Sequence, residues 1–212
     1  MERLAIFDVD YTITKKETLM ELYKYMIKEE KKNLIYLPRA LFSGLMYCLK
    51  IYDEKKVKES FLKFLNGRER TELDQIVKRF YKNRLTNILY KDSLEMMKKL
   101  KNEGYLIYLI SASPEFYLKE LYAIKEVDLI IGTRFKFDNE KFIRKMDGKN
   151  CKGEEKVVRL KQVLKKENID VDFENSYMFS DSLSDKPLLD LVGKPYLINY
   201  RKKGNIEVLN WK

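Results

Sequence analysis

The 212-residue chain contains no histidine. That absence excludes Ser-His-Asp and Cys-His catalysis, histidine-ligated metals and phosphohistidine chemistry, so acid–base work falls to carboxylates, lysines or tyrosines. Cysteine is scarce. Cys48 and Cys151 have no CxxC partner and no recurring spacing, which excludes a disulfide framework and a zinc knuckle and predicts free thiols in a cytoplasmic protein. No internal repeat or low-complexity segment is present, and long apolar runs are missing too. The greasiest stretch, Leu34 to Tyr52, is interrupted by Pro38, Arg39 and Lys50. Its unbroken core, Ala40 to Leu49, falls short of the about 20 residues that span a bilayer. Met1-Glu2-Arg3-Leu4 leads straight into an apolar segment, so no signal peptide is expected.

What is present fits a globular protein, with 45% hydrophobic and 36% charged residues. The net charge of +10 is a balance that can attract nucleic acid, anionic lipid or phosphorylated substrates. The lysines, however, are interleaved with acids, as in Lys28-Glu29-Glu30-Lys31-Lys32 and Asp53-Glu54-Lys55-Lys56. That is the pattern of a solvated surface rather than a nucleic-acid patch.

Leu4-Ala5-Ile6-Phe7 is an apolar run that ends in Asp8-Val9-Asp10-Tyr11-Thr12. Such a run reads as a buried strand, and in open α/β sheets ligands gather beyond the carboxyl ends of strands. If the chain stays extended through Asp10, both carboxylates project to one side and repel each other. A hard cation such as Mg²⁺ relieves that conflict, since it takes one or two carboxylates and completes its shell with water and phosphate. On this stretch alone, the alternative is a strand-end turn in which an aspartate caps the backbone.

From Thr14 to about Tyr90 the pattern is helical. Leu19, Leu22, Tyr23, Met26 and Ile27 recur at helical spacing, and Ala40 to Ile51 is apolar enough to be largely buried. From Asp92 helices and strands alternate. Strands are expected over 105–110, 129–131, 177–179 and 196–198, and a hairpin over 133–137 and 141–145. Helices are expected over 93–102, 115–125 and 153–167, with another starting at Lys186. The alternation predicts an α/β fold of parallel βαβ units, with a core of residues 1–14 and 91–212 and a helical insertion over 15–90.

Three apolar strands therefore end in polar clusters: Asp8-Val9-Asp10-Tyr11-Thr12, Ser111-Ala112-Ser113, and Asp181 with Asp185. A basic helix start, Asn150-Cys151-Lys152-Gly153-Glu154-Glu155-Lys156, completes the set. In this order they resemble the four motifs of the haloacid dehalogenase (HAD) superfamily of phosphohydrolases, across the whole α/β part of the chain. The resemblance implies a Rossmann-like parallel sheet with an inserted all-helical cap of the first type, the class shared by phosphoserine phosphatases. It also implies Mg²⁺-dependent hydrolysis of a small phosphorylated metabolite, phosphoserine or a relative of it. By residue, it makes Asp8 the nucleophile that forms an aspartyl-phosphate and Asp10 the general acid that later activates water. Mg²⁺ is expected on the side chains of Asp8 and Asp181 and the backbone carbonyl of Asp10, with Asp185 in support. Ser111, with Ala112 beside it, matches the phosphate-binding segment, and Thr12 a supporting hydroxyl; Ser111 by itself serves equally well as a cap for a helix opened by Pro114. The lysine of the third motif is open between Lys152 and Lys156, four apart on one helix face, with Lys156 slightly favoured.

Other phosphate chemistries fail on inspection. Gly148 and Gly153 have P-loop spacing, but Glu154-Glu155 stands where Lys-Ser/Thr is required. Neither cysteine is followed by the arginine a cysteine phosphatase needs; Glu54 and Val157 occupy those places.

Within the insertion, Glu17 falls where phosphoserine phosphatases read the substrate amino group, whereas an ungapped count puts Ser60 where they use an arginine for the carboxylate. Arg39, Arg68 and Arg70 are the other candidate cap cations, each also readable as surface. The run from Leu41 to Leu49 is expected to form cap core, with a greasy substrate or a membrane surface as alternatives. Ser180 replaces the glycine usual before the fourth-motif aspartate. The competing functional class is a non-catalytic, metal- and anion-binding regulatory module on the same fold.

Overall fold

A computed structural model covers the chain and describes residues 1–202 and 204–212. Its centre is β1 (Leu4–Phe7), whose four side chains are fully buried. Because side chains alternate along a strand, Ala5 and Phe7 enter one core cluster while Leu4 and Ile6 enter the other. An unbroken apolar run is what a strand covered on both faces requires. Phe7 stacks on Phe179 with ring centroids 4.5 Å apart, and Phe179 lies 5.8 Å from Trp211.

Around β1 the chain builds β2 (Leu106–Pro114), β3 (Val127–Thr133), β6 (Tyr177–Ser180), β7 (Lys194–Ile198) and β8 (Glu207–Leu209). They form one parallel sheet in the order β3-β2-β1-β6-β7-β8. An antiparallel hairpin, β4 (Phe135–Asp138) with β5 (Lys141–Met146), stands apart from it. Phe7 is in register with Leu109 on one side and Phe179 on the other, so β1, β2 and β6 deliver their carboxyl ends to one edge. This is the α/β architecture expected from the alternation of elements.

The helices are α1 (Thr18–Glu29), α2 (Leu37–Cys48), α3 (Glu54–Phe61), α4 (Arg70–Asn83) and α5 (Lys91–Asn102), then α6 (Glu115–Leu118), α7 (Glu154–Lys166) and α8 (Lys186–Leu189). The first four follow β1 with no sheet strand among them. The β4–β5 hairpin is tied to this helical segment: the Phe142 amide donates to the Arg68 carbonyl (2.8 Å), and the Met146 amide to Glu59 Oε1 (2.9 Å). Among the described residues no helix is long and apolar enough to cross a membrane.

Four local expectations need correction. The chain is not extended through Asp10. β1 ends at Phe7, and the amides of Ile13 and Thr14 both turn back to the Val9 carbonyl, with Tyr11 in the left-handed region at φ 57°. β2 runs on through Ser111 to Pro114, and the helix after it lasts one turn before a 3-10 segment, so Ser111 belongs to a strand and caps no helix. The last strand, β8, has too few apolar residues to show a period. Finally, α2 is not buried: Ser43 is its one buried residue, while Leu41, Phe42 and Leu45 face solvent. The cause is a polar seam. Ser43 Oγ lies 2.6 Å from Ser60 Oγ on α3, and Arg39 Nε donates to the same Ser60 hydroxyl at 3.1 Å, which turns the small side of α2 inward.

Candidate active site

At the carboxyl edge of the sheet lies a cleft of about 510 Å³. Asp8, directly after β1, is held there because its amide donates to the Phe179 carbonyl of β6 at 2.9 Å. Lys156 comes from the first turn of α7 and is almost wholly buried, yet its Nζ donates to Asp8 Oδ1 and to Asp185 Oδ2, both at 2.7 Å. Asp185 also accepts from the Ser180 hydroxyl at 2.9 Å, so the serine that departs from the usual glycine holds the carboxylate in place. Burial pushes Asp8 up to about 8; the neighbouring Asp185 and Asp10 charges add to this and Lys156 opposes it. Asp181 is pushed up to about 6 by burial and then by Asp185. Burial alone would lower Lys156, but the two carboxylates outweigh it and hold the ammonium well above the ordinary lysine range.

Asp10 is anchored differently. Its Oδ1 accepts from the Thr18 amide (2.7 Å) and hydroxyl (2.6 Å), and its Oδ2 from the Ser113 hydroxyl (2.6 Å). The Tyr117 hydroxyl lies 2.9 Å from Thr18 Oγ1, which completes a buried hydroxyl network linking the loop after β1 to the end of β2. Ser113 belongs to the Ser111-Ala112-Ser113 cluster named from the sequence, whereas Thr18 and Tyr117 were given no role there, because hydroxyl residues at helix starts are common.

Of the residues named from sequence, Asp8, Asp10, Glu17, Ser111, Ala112, Lys152, Lys156, Asp181 and Asp185 line the cleft. Thr12 does not. It is fully buried, and its hydroxyl accepts from the Asp181 amide at 2.9 Å, fixing the loop that carries Asp181. The two lysines separate clearly. Lys152 pairs with Glu54 of α3 rather than with an aspartate of the sheet edge. Glu17 caps α1 by accepting from the Met20 amide at 2.8 Å, and burial followed by the Asp10 charge pushes it up to about 7. Ser60 and the three arginines lie outside the cleft: Arg68 pairs with Glu30 and Glu72, and Arg70 with Glu140.

The cation that the helical segment does contribute is Lys58, on α3. Its Nζ donates to the Ala112 carbonyl (2.7 Å) and to Asn150 Oδ1 (2.8 Å). Burial lowers its pKa, against the pull of Glu54, Asp10 and Glu17. Glu54, one turn away, accepts from Asn150 Nδ2 (2.8 Å) and from the Tyr47 hydroxyl (3.1 Å). Glu54 and Lys58 at i and i+4 are an ordinary surface pair in sequence, which is why neither stood out.

The cleft thus carries six carboxylates (Asp8, Asp10, Glu17, Glu54, Asp181, Asp185) against three lysines (Lys58, Lys152, Lys156). A dianion will not enter such a field unless further positive charge is supplied. Among the described residues no three acidic or thiol side chains converge into a ready-made metal cage. The donor set nevertheless suits Mg²⁺, which binds oxygen, needs only one or two carboxylates, and fills the rest of its octahedron with water and phosphate.

Fold and site together define a class: a parallel α/β scaffold with acids and one buried lysine gathered where the central strands end. The model of the haloacid dehalogenase-like hydrolases matches residues 5–190, and the chain belongs to that family. Protein CicA of Caulobacter vibrioides is 24% identical over 165 residues, covering 76% of this chain and 72% of that protein. A protein of unknown function from Bordetella pertussis superposes with a TM-score of 0.86 at 22% identity, over 95% of this chain and 92% of that one. A substrate-bound phosphoserine phosphatase superposes with a TM-score of 0.67 at 16% identity, over 98% and 93%.

Proposed function

We propose that the protein is a Mg²⁺-dependent phosphatase that hydrolyses a small phosphomonoester through an aspartyl-phosphate on Asp8. The observation that carries this reading is the buried Lys156 bridge between Asp8 and Asp185. Lys156 occupies only Oδ1 of Asp8. The other oxygen is left for in-line attack on phosphorus, and the ammonium stabilises the ionised carboxylate against its burial. In this reading Asp10, held by Thr18 and Ser113, protonates the leaving oxygen and then takes a proton from the water that cleaves the intermediate. Ser111 and the backbone around Ala112 hold the transferring phosphoryl group. Asp8, Asp181 and the carbonyl of Asp10 would hold the metal, with Asp185 committed to Lys156. The metal supplies charge neutralisation and orientation of the phosphate. Residues 15–90 act as the cap that selects the substrate, with Glu17, Glu54 and Lys58 facing the bound ester.

The likeness to phosphoserine phosphatases supports an amino-acid-like substrate, and Glu17 at the cleft wall is suited to an ammonium group. The test is phosphate release from an aryl phosphate, followed by a panel of phosphorylated amino acids, sugars, nucleotides and lipid head groups. Activity is expected to require Mg²⁺ and to vanish in Asp8→Asn. A folded, Mg²⁺-loaded wild type that hydrolyses nothing in the panel would refute the proposal.

A further inference from the structure

The segment from Lys31 to Tyr52 is turned inside out. On α2 the side facing the rest of the molecule carries Ala40 and Ser43, whereas Leu37, Leu41 and Leu45, spaced four apart, form an outward stripe that Leu49 continues. Ile35, Leu41, Phe42, Leu45, Leu49 and Ile51 are each between 54% and 77% exposed. Nine of the fifteen large apolar side chains exposed among the described residues lie between Leu34 and Ile51. Scattered single exposures need no explanation, but a continuous stripe on a helix about 18 Å long does.

Charge indicates what covers it. From residue 31 to residue 52 the chain carries Lys31, Lys32, Arg39 and Lys50 and no acid at all, although the protein elsewhere mixes lysine with glutamate. All four are exposed, but Lys32 pairs with Glu30 and Arg39 donates to Ser60, so Lys31 and Lys50, at the two ends of the segment, are the cations that flank the stripe. A second copy docked symmetrically on this face would bring the same cations together, and the segment itself carries no carboxylate to pair with them. A helix with an apolar face and lysines at both ends of its segment, too short to span a bilayer, is instead suited to lie at an anionic lipid surface. We propose that α2 and its flanking turns dock this protein onto anionic membranes. Tyr47, on the same helix, also lines the catalytic cleft, so docking brings the mouth of the cleft to headgroup level. The docking stands without the phosphatase reading; only its catalytic benefit rests on that reading.

The test is vesicle flotation of the full chain at physiological salt, with phosphatidylcholine alone and with phosphatidylcholine containing phosphatidylglycerol. The wild type is expected to float with the anionic vesicles. Leu41→Ser/Leu45→Ser/Leu49→Ser is expected to weaken binding by about tenfold or more. Lys31→Gln/Lys50→Gln is expected to weaken it by roughly thirtyfold on anionic vesicles only, at about 1 kcal/mol per cation near such a surface. Because these side chains lie outside the cleft and the cores, both variants should keep the wild-type melting curve. That melt certifies the fold even if no phosphate ester is ever hydrolysed. The proposal is overturned if the wild type stays unbound with anionic vesicles or if the variants bind equally well. It is also overturned if the wild type is a dimer that the triple substitution dissociates, since a second copy would then cover the face.

Discussion

Replacing Lys156 by methionine separates a structural bridge from an ordinary lysine. The side chain is 2% exposed and makes two charge-assisted bonds of 2.7 Å, to Asp8 and Asp185. Methionine keeps the volume and removes the charge, leaving two buried carboxylates to face each other. Removing one partner from a buried ion pair costs about 3–5 kcal/mol. For a chain of this size each kcal/mol lowers the melting temperature by about 2–4 °C, so a fall of roughly 6–20 °C is expected. In the proposed mechanism, loss of a preorganised cation beside Asp8 should lower kcat by about 10²–10³. The control is Lys152→Met. That side chain is 41% exposed in its pair with Glu54 and should cost no more than about 1 kcal/mol, with a correspondingly small change in kcat. Calorimetry or urea unfolding, alongside phosphate release, reads all of these. If Lys156→Met unfolds within about 1 kcal/mol of wild type, or if Lys152→Met proves the more damaging change, the bridge does not have the role assigned to it.

Glu17→Gln should change how stability depends on pH. The folded carboxyl titrates near 7 against an ordinary value of 4.5, so ionised Glu17 opposes folding above about pH 7 and has no effect below about 4.5. The glutamine variant should therefore gain on wild type as pH rises through that window, as read by urea midpoints at pH 4.5 and 8.5; a gap that does not grow with pH contradicts the burial argument. Gly132→Ala would place a Cβ 2.9 Å from Glu115 Cα and from the Ser113 carbonyl. Overpacking of about 1–3 kcal/mol is expected, measured by urea unfolding, together with reduced activity because β2 carries the segment proposed to hold the phosphoryl group. Thr12→Val leaves the half-buried Asp181 amide without its acceptor, at a cost of about 0.5–1.5 kcal/mol. In Mg²⁺ titrations of activity that variant should need more metal, because its Asp181 loop is loosened.

Much of the sheet was legible because a strand buried on both faces must be apolar throughout. Leu4–Phe7 and Tyr177-Met178-Phe179 follow that rule, and each ends where polar residues begin. Helices with one buried face, such as α1 and α7, announce themselves by period. β8 is short and only partly buried, and gives no comparable signal. The α2 expectation failed for a related reason: hydropathy reports that a segment is apolar, not that a partner exists to cover it. In the site, aspartates at strand ends were conspicuous, whereas Lys58, Glu54 and the Thr18–Ser113–Tyr117 hydroxyls look like ordinary surface or capping residues until the chain is folded.

The sequence by itself determined the class of chemistry. With no histidine, acid–base work is left to carboxylates, lysines or tyrosines, and the carboxylates that follow buried strands are brought together because strand ends in a parallel sheet share one edge. Tertiary structure decided between the two lysines. The spacing puts Lys152 and Lys156 on one helix face, but Lys152 lies before α7 and pairs with Glu54, and only Lys156 reaches Asp8 and Asp185. It also decided the fate of the apolar run at Leu41 to Leu49, since a serine pair and an arginine turned its small face inward. Which residues meet depends on packing between distant segments, and a periodic pattern within one segment carries no record of its partners.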